Sequence, residues 1–223
     1  MWPSLALGAL ALASTAGPPA PAPRWLALGD SYTIGEGVSA AERWPQQLAA
    51  ALRRDGVAVA APEVVARTGW TTDELSGAMD AHEFHAPYAL VALLIGVNNQ
   101  YRGRDVANYR SEFSALLKRA IALAGDVREH VIVISIPDWG VTRFGHESGR
   151  DRAQIARELD AYNAANRDIA ASEHVRWVDV TAASRDGGER ADMLVGDGLH
   201  PSAAMYARWV EAILPAAKEA LGK

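Results

Sequence analysis

Five short and almost uniformly apolar segments recur along the chain, and they constrain its fold more than any other feature. We predict strands at residues 25–28 (WLAL), 57–66, 88–97 (YALVALLIGV), 130–136 (HVIVISI) and 175–180. Apolar runs of this length are typical of strands buried on both faces of a parallel sheet. The second segment contains Pro62, which cannot donate a ladder hydrogen bond and therefore indicates an interruption of the strand or an edge position.

The stretches between these segments have the apolar periodicity of helices with one buried face. We predict helices at residues 42–54, 71–82, 105–124 and 151–171, and a last helix from residue 202 that Pro215 should kink or end. Alternating strands and helices predict a parallel sheet with helices on both faces, an α/β/α arrangement in three layers. Ligands of such sheets bind at the carboxyl ends of the strands, so the loops there are where a site is expected.

The first 23 residues differ in character from the rest. Residues 5–13 (LALGALALA) are apolar but too short for a membrane-spanning helix, which needs about 20 residues. We predict a signal peptide over residues 1–16, although no Lys or Arg precedes the apolar run. Residues 17–23 (GPPAPAP) then form a stiff linker, and residues 24–223 form the folded domain. The expected location is periplasmic or secreted, without stable membrane insertion after cleavage, or cytoplasmic if the start is wrongly assigned.

The composition excludes several classes of protein. The net charge is −5 and no basic run is present, so nucleic acid is not an expected partner. The chain has no cysteine, which rules out a disulfide framework, a thiolate nucleophile and a cysteine-ligated metal. His82 and His85 lie in a polar helix end and are not expected to bind a metal. No cofactor is predicted, and nothing requires an oligomer.

The loop after the first strand brings a serine to the predicted ligand-binding edge. Ser31 follows Gly29 and Asp30 directly after a buried strand, so its hydroxyl could act as a nucleophile. On this loop alone, a serine that caps a helix is the commoner outcome.

A second candidate loop, residues 196–202 (GDGLHPS), lies near the end of the chain. Asp197 and His200 are three residues apart, so the carboxylate can reach one imidazole nitrogen and leave the other free to take a proton from Ser31. Pro201 restricts the backbone of His200 to an extended conformation. The alternative is a helix start that Asp197 or Ser202 caps.

Two further loops offer hydrogen-bond donors for a developing oxyanion. Gly69 follows the second strand and could present its backbone N–H, and Asn98 follows the third strand with a side-chain amide. Taken singly, each is as well explained by turn geometry. Four such loops at one edge of a sheet favour a catalytic site.

These four blocks resemble those of a known family. GDSYTIGEG (29–37), Gly69 within ARTGWTT (66–72), GVNN (96–99) and DGLHPS (197–202) are similar, in order, to the blocks of the SGNH hydrolases, also called the GDSL esterase/lipase family. The resemblance extends from about Arg24 to the end of the chain. It implies a flavodoxin-like sheet of five parallel strands and a catalytic triad of Ser31, His200 and Asp197. It also implies an oxyanion hole made of the Ser31 N–H, the Gly69 N–H and the Asn98 amide.

The sequence departs from the family pattern at two positions. Tyr32 replaces the leucine of the GDSL motif, and Asn99 replaces the aspartate that usually follows the third-block asparagine. Neither position belongs to the triad. The second change could alter how its loop is held.

The expected activity is hydrolysis of the carboxylic ester bond of a small or lipid-like molecule, as in esterases, lysophospholipases and thioesterases. Four aromatic residues near the predicted site are candidates to contact the substrate: Trp70, Tyr101, Trp139 and Phe144. An acyltransferase or a carbohydrate deacetylase on the same triad, and a non-catalytic ligand-binding module, remain alternatives because a fold alone does not determine function.

Overall fold

In a computed structural model, residues 21–223 are described, and a single five-stranded sheet organises them. The strands are β1 (Trp25–Gly29), β2 (Glu63–Ala66), β3 (Leu90–Leu94), β4 (Val131–Ile134) and β5 (Arg176–Val178). All neighbouring pairs are parallel and the strand order is β2-β1-β3-β4-β5. The five-stranded parallel sheet predicted from the sequence is thus confirmed. The signal peptide predicted at residues 1–16 lies outside the described residues, as does most of the predicted linker.

The three inner strands, β1, β3 and β4, are the most deeply buried. Every residue of β1 and β3 is buried, and their register pairs Leu26 with Val91 and Leu28 with Leu93. Helices cover both faces of these strands, so there is no solvated face to impose an alternating pattern. This explains why their sequences are continuously apolar.

Long helices cover both faces of the sheet. They are α2 (Trp44–Arg54), α3 (Thr72–Ala81), α5 (Val106–Leu123), α7 (Arg152–Ser172) and α9 (Ala203–Ala220). Helix α2 packs against α9, whereas α5 packs against both α3 and α7. The two groups lie on opposite faces, as right-handed crossover connections require for this strand order. None of the helices in residues 21–223 is both long enough and apolar enough to span a membrane.

Four short helices directly follow strands or line the same edge, and the sequence did not predict them. They are α1 (Ser31–Ile34), α4 (Val97–Tyr101), α6 (Arg143–Glu147) and α8 (Thr181–Gly187). Each has between four and seven residues. Segments of one or two turns are too short to show a helical period in the sequence.

Two sequence predictions need correction. The strand predicted at 57–66 is limited to β2 at 63–66, because the preceding N–H groups bond elsewhere: Val57 donates to Leu52 and Ala60 donates to Pro23. Of the two outcomes predicted for Pro215, the end of the last helix is wrong, because this helix continues to Ala220, and the kink stays a prediction. Pro215 and Glu211 are both exposed, so the Glu211 carbonyl that loses its helical partner is open to solvent.

Candidate active site

A cavity of about 220 Å³ opens at the carboxyl edge of the sheet, where β1 and β3 end. Its lining residues are Ser31, Tyr32, Thr68, Gly69, Val97, Asn98, Tyr101, Trp139, Phe144, Leu199 and His200. The lining therefore includes residues from all four sequence blocks, which are far apart in the chain. Aromatic and aliphatic side chains form most of the wall opposite the polar groups.

Ser31 is placed at this cavity by the sharp transition from β1 to α1. Asp30 caps the helix, accepting a hydrogen bond at Oδ1 from the N–H of Tyr32 at 3.0 Å, so Ser31 itself is not the cap. At Gly29 a Cβ atom would lie 2.5 Å from the carbonyl oxygen of Leu94, so only glycine allows β1 and β3 to approach this closely. The turn leaves the Ser31 side chain 5% exposed, facing the cavity.

His200 is held by Asp197 through both its ring and its backbone. The Oδ2 atom of Asp197 lies 2.6 Å from Nδ1 of His200, and Oδ1 accepts the N–H groups of Leu199 at 2.8 Å and of His200 at 3.0 Å. Because Nδ1 is engaged by the carboxylate, Nε2 is the ring nitrogen left for another partner. The aromatic ring of Tyr32 packs on the imidazole with 5.8 Å between ring centroids. Asp197 and His200 therefore make the side-chain contact that the sequence predicted.

The loop that carries this pair is fastened to α6. The guanidinium of Arg143 donates to the carbonyl of Gly196 at 2.7 Å, and the N–H of Phe144 donates to the carbonyl of Gly198 at 3.0 Å. Gly198 has φ of +72°, a left-handed conformation that side chains disfavour. Arg143 thus serves to hold the His200 loop.

The electrostatics of Asp197 support an ionised carboxylate beside the imidazole. Its partial burial acts to raise its pKa, but the hydrogen bonds from the His200 ring and from the N–H groups of His200 and Leu199 together lower the pKa below its ordinary value. The side chain remains 43% exposed, so solvent screens its interaction with His200.

The Ser31 hydroxyl and the His200 ring line the same cavity without a hydrogen bond between them in the part of the chain that the structure describes. Nucleophile–base contacts are often long without substrate and shorten in the reacting complex. The structure thus brings the two groups to one cavity and leaves the final contact to side-chain adjustment.

The two predicted oxyanion donors other than Ser31 also reach the cavity. Gly69 has φ of +87°, and its carbonyl is bound by the Arg102 guanidinium at 2.7 Å, which fixes the orientation of the turn. The Nδ2 atom of Asn98 donates one hydrogen bond to the carbonyl of Trp70 at 2.9 Å. Since a primary amide has two N–H donors, the second remains for an oxyanion. Ser31 begins α1, and the first N–H groups of a helix have no intrahelical partner.

Three of the four predicted substrate contacts form an aromatic wall, a name used below for Tyr101, Trp139 and Phe144. Their ring centroids lie 5.4 to 6.4 Å apart, and all three line the cavity. Trp70 does not line it. Its carbonyl is taken by Asn98, and its side chain lies on a separate surface cavity beside β2 and α3, with Val64 and Ala78. The structure therefore places Trp70 outside the lining of this cavity, and its contact with a substrate stays a prediction.

Sequence reasoning missed four of the lining residues, namely Tyr32, Thr68, Val97 and Leu199. Each is a direct neighbour of a predicted site residue, and this adjacency was the only signal available. Tyr32 is the most informative of them, because its ring lies between His200 and Trp209 and links the histidine to α9.

Comparisons with known proteins identify the family and agree with the fold. Residues 27–208 match the model of the GDSL-like lipase/acylhydrolase family. No curated protein matches the chain.

Solved structures of similar fold include that of TesA, with 22% identity, a TM-score of 0.70, and coverage of 89% of this chain and 99% of that one. The psychrotrophic esterase EstA from Pseudoalteromonas sp. is 17% identical, with a TM-score of 0.68 and coverage of 90% and 99%. Axe2, an acetyl xylan esterase from Geobacillus stearothermophilus, is 18% identical, with a TM-score of 0.62 and coverage of 87% and 94%. At these identities the likeness establishes the fold.

The match to the family model covers most of the chain, and the fold agrees with it over nearly the whole length of each solved relative. The chain belongs to the GDSL-like lipase/acylhydrolase family and is, as a member of it, a carboxylic ester hydrolase of the SGNH kind.

Proposed function

We propose that this protein hydrolyses carboxylic esters through a covalent acyl-enzyme on Ser31, with His200 as base and Asp197 as the residue that orients it. The observation that carries the proposal is the convergence of Ser31 and the Asp197–His200 pair on one cavity that Gly69 and Asn98 also line. A serine, a histidine and a carboxylate related in this way recur on unrelated folds because the chemistry depends on their geometry.

The first half of the reaction transfers the acyl group to the enzyme. The Oγ atom of Ser31 attacks the ester carbonyl carbon, and its proton passes to Nε2 of His200. Asp197 holds the imidazole in the required tautomer and stabilises the imidazolium. As the tetrahedral intermediate collapses, the bond to the alcohol oxygen breaks and His200 returns the proton to that oxygen.

The second half repeats these steps with water. His200 takes a proton from water, the resulting oxygen nucleophile attacks the acyl carbon, and the bond to Ser31 breaks as the serine regains its proton. In both halves the negative charge on the former carbonyl oxygen would be met by the N–H groups of Ser31 and Gly69 and by the amide of Asn98. Removing one such donor from an oxyanion hole typically costs about 3–4 kcal/mol in the transition state.

The size of the cavity favours a short substrate. The cavity measures about 220 Å³ and opens to solvent. With the ester group beside Ser31, the space that remains along the apolar part of the lining fits a short chain. Further carbon atoms would extend into solvent and gain no burial. Since each buried methylene contributes about 0.8 kcal/mol, kcat/KM should rise about fourfold per carbon and then level off.

Labelling with a fluorophosphonate probe tests the nucleophile directly. We expect covalent modification of the wild-type protein at Ser31 and none of Ser31→Ala. Ser172→Ala is the matched control, because Ser172 ends α7 and its hydroxyl bonds the Ile169 carbonyl. Modification of Ser31→Ala at the wild-type rate would refute the assignment. Hydrolysis of p-nitrophenyl esters from acetate to dodecanoate then tests the size limit.

A further inference from the structure

The aromatic wall is backed by a network of polar side chains outside the cavity, which no part of the proposed reaction uses. The indole Nε1 of Trp139 donates to Oε1 of Gln100 at 2.8 Å. The Nε2 atom of Gln100 donates in turn to Oε2 of Glu158 at 2.6 Å, and Arg150 donates to the same oxygen at 3.2 Å. These contacts connect α4, α7 and the loop after α6.

Arg150 connects the network to the aromatic wall by contacting two of its rings. Its guanidinium carbon lies 5.2 Å from the ring centroid of Trp139 and 5.8 Å from that of Tyr101, and it also donates to the Tyr101 carbonyl at 3.3 Å. Both cation–π distances are within the range in which the attraction is significant. The same guanidinium therefore contacts two members of the wall while Glu158 holds it in place.

The burial of these groups shows that the indole has little freedom to move. Gln100 and Trp139 are each 2% exposed, and the Gln100 amide uses its oxygen for the indole and its nitrogen for the carboxylate. Rotation of the Trp139 side chain away from the cavity would leave a buried amide oxygen without a donor, which is costly. The network thus fixes the position of the wall and with it the length of the cavity.

We infer that Gln100, Glu158 and Arg150 are positioning residues that set the length of the apolar chain accepted by the cavity, by holding Trp139 and Tyr101 in place. The inference rests on the proposed function, because it specifies the substrate size of that same site. The chain in question belongs to an ester and can be its acyl group or its alcohol. None of the three residues lines the cavity, so the effect acts through the aromatic wall.

Two variants test the network, with one matched control. Gln100→Leu removes both of its hydrogen bonds at similar side-chain size, and Arg150→Lys keeps the positive charge but removes the planar group that contacts both rings. Arg157→Lys is the control, because Arg157 is on α7 beside Glu158, is 69% exposed and pairs with Asp151 at 3.7 Å. Thermal unfolding identifies any variant that does not fold.

The measurement is kcat/KM over two ester series. One series is p-nitrophenyl esters of acids from acetate to dodecanoate, and the other is acetates of alcohols from methanol to octanol. We expect Gln100→Leu and Arg150→Lys to raise the ratio of eight-carbon to four-carbon substrates by about tenfold in one series, with the shortest acetate turned over within about threefold of wild type. The series that shifts identifies which part of the ester meets the wall.

The two proposals fail in different ways. If both folded variants hydrolyse acetate yet keep the wild-type ratio within twofold in both series, the positioning role is overturned and the proposed function stands. An equal shift in Arg157→Lys also overturns it, since that residue does not contact the wall. If the wild-type protein neither hydrolyses any of the esters nor reacts with the fluorophosphonate, the proposed function fails and the inference fails with it.

Discussion

The side chain of Asn99 exchanges two hydrogen bonds with Thr72, and this pair ties α4, the short helix after β3, to the first residue of α3, the helix after β2. The N–H of Thr72 donates to Oδ1 of Asn99 at 3.1 Å, and Nδ2 of Asn99 donates to the Thr72 hydroxyl oxygen at 2.6 Å. The Thr72 hydroxyl is then free to donate its own proton to Glu112, which it does. Because Asn98 precedes Asn99 and Gly69 lies three residues before Thr72, this pair holds together the two segments that carry the proposed oxyanion donors.

Asn99→Asp should disturb the proposed oxyanion hole. The Thr72 hydroxyl would then face two carboxylates, the new one at position 99 and that of Glu112. The Thr72 hydroxyl has a single proton and cannot donate to both, so a buried carboxylate oxygen loses its partner. We expect kcat for p-nitrophenyl butanoate to fall about tenfold, with a smaller change in KM. The double variant Asn99→Asp/Glu112→Gln restores a donor at position 112 and should recover most of kcat. Additive losses in the double variant would contradict this account.

Ser31→Ala should abolish turnover while leaving the fold intact. The hydroxyl is the proposed nucleophile, and removal of the serine from a triad typically lowers kcat by roughly 10⁴-fold or more. Within residues 21–223 the Ser31 hydroxyl makes no hydrogen bond that stabilises α1, whose cap is Asp30. The circular dichroism spectrum and the midpoint of thermal unfolding should therefore stay close to those of the wild type. Retention of more than a tenth of the activity would show that another group attacks the ester.

Much of this site could be predicted because each part depends on local sequence. Ser31, Asp197 and His200 directly follow apolar strands or lie in one short loop, and the topology of a parallel sheet brings such loops to one edge. The position of Trp70 could not be predicted in this way, because its carbonyl accepts a hydrogen bond from the side chain of Asn98. These two residues are 28 positions apart in the chain. The short helices could not be predicted either, because they are too short to show a helical period. The hydrogen bonds of Gln100 to Trp139 and Glu158 join distant segments and leave no pattern in the sequence.

Asp197→Asn should lower activity less than Ser31→Ala. The amide can still accept the backbone N–H groups of Leu199 and His200, so the loop should keep its shape. Its amide nitrogen then faces Nδ1 of His200 as a donor, which favours the tautomer that cannot take the Ser31 proton, and the charge that stabilises the imidazolium is lost. Because the side chain is 43% exposed, solvent supplies part of both effects of the carboxylate. We expect a fall in kcat of roughly 10²- to 10³-fold, less than the loss known for the orienting aspartate of a well-studied serine protease triad, where that residue is buried. The two variants should be compared on one substrate. A fall in kcat as large as that of Ser31→Ala would show that the carboxylate does more than orient and stabilise the ring.

Asp30→Asn should change how stability depends on pH. Asp30 is fully buried beside Ser31, Oδ1 accepts from Tyr32, and Oδ2 has no hydrogen-bond partner within residues 21–223. Desolvation by this burial raises the pKa of Asp30 from 3.8 to about 7, although the backbone hydrogen bonds oppose the shift. Between about pH 4 and pH 7 the folded state therefore binds more protons than the unfolded state, and the free energy of unfolding falls as the pH rises.

In Asp30→Asn the side-chain amide still accepts a hydrogen bond from the N–H of Tyr32, but it cannot ionise. This variant therefore does not lose stability as the pH rises. Over the whole interval the loss amounts to about 4 kcal/mol. The free energy of unfolding of Asp30→Asn relative to wild type should thus increase from pH 4.5 to pH 8, when measured by urea denaturation. Asp168→Asn is the control, because Asp168 is 59% exposed and pairs with Arg110 at 3.5 Å. Parallel pH profiles for Asp30→Asn and wild type would show that Asp30 carries the same charge in the folded and unfolded states.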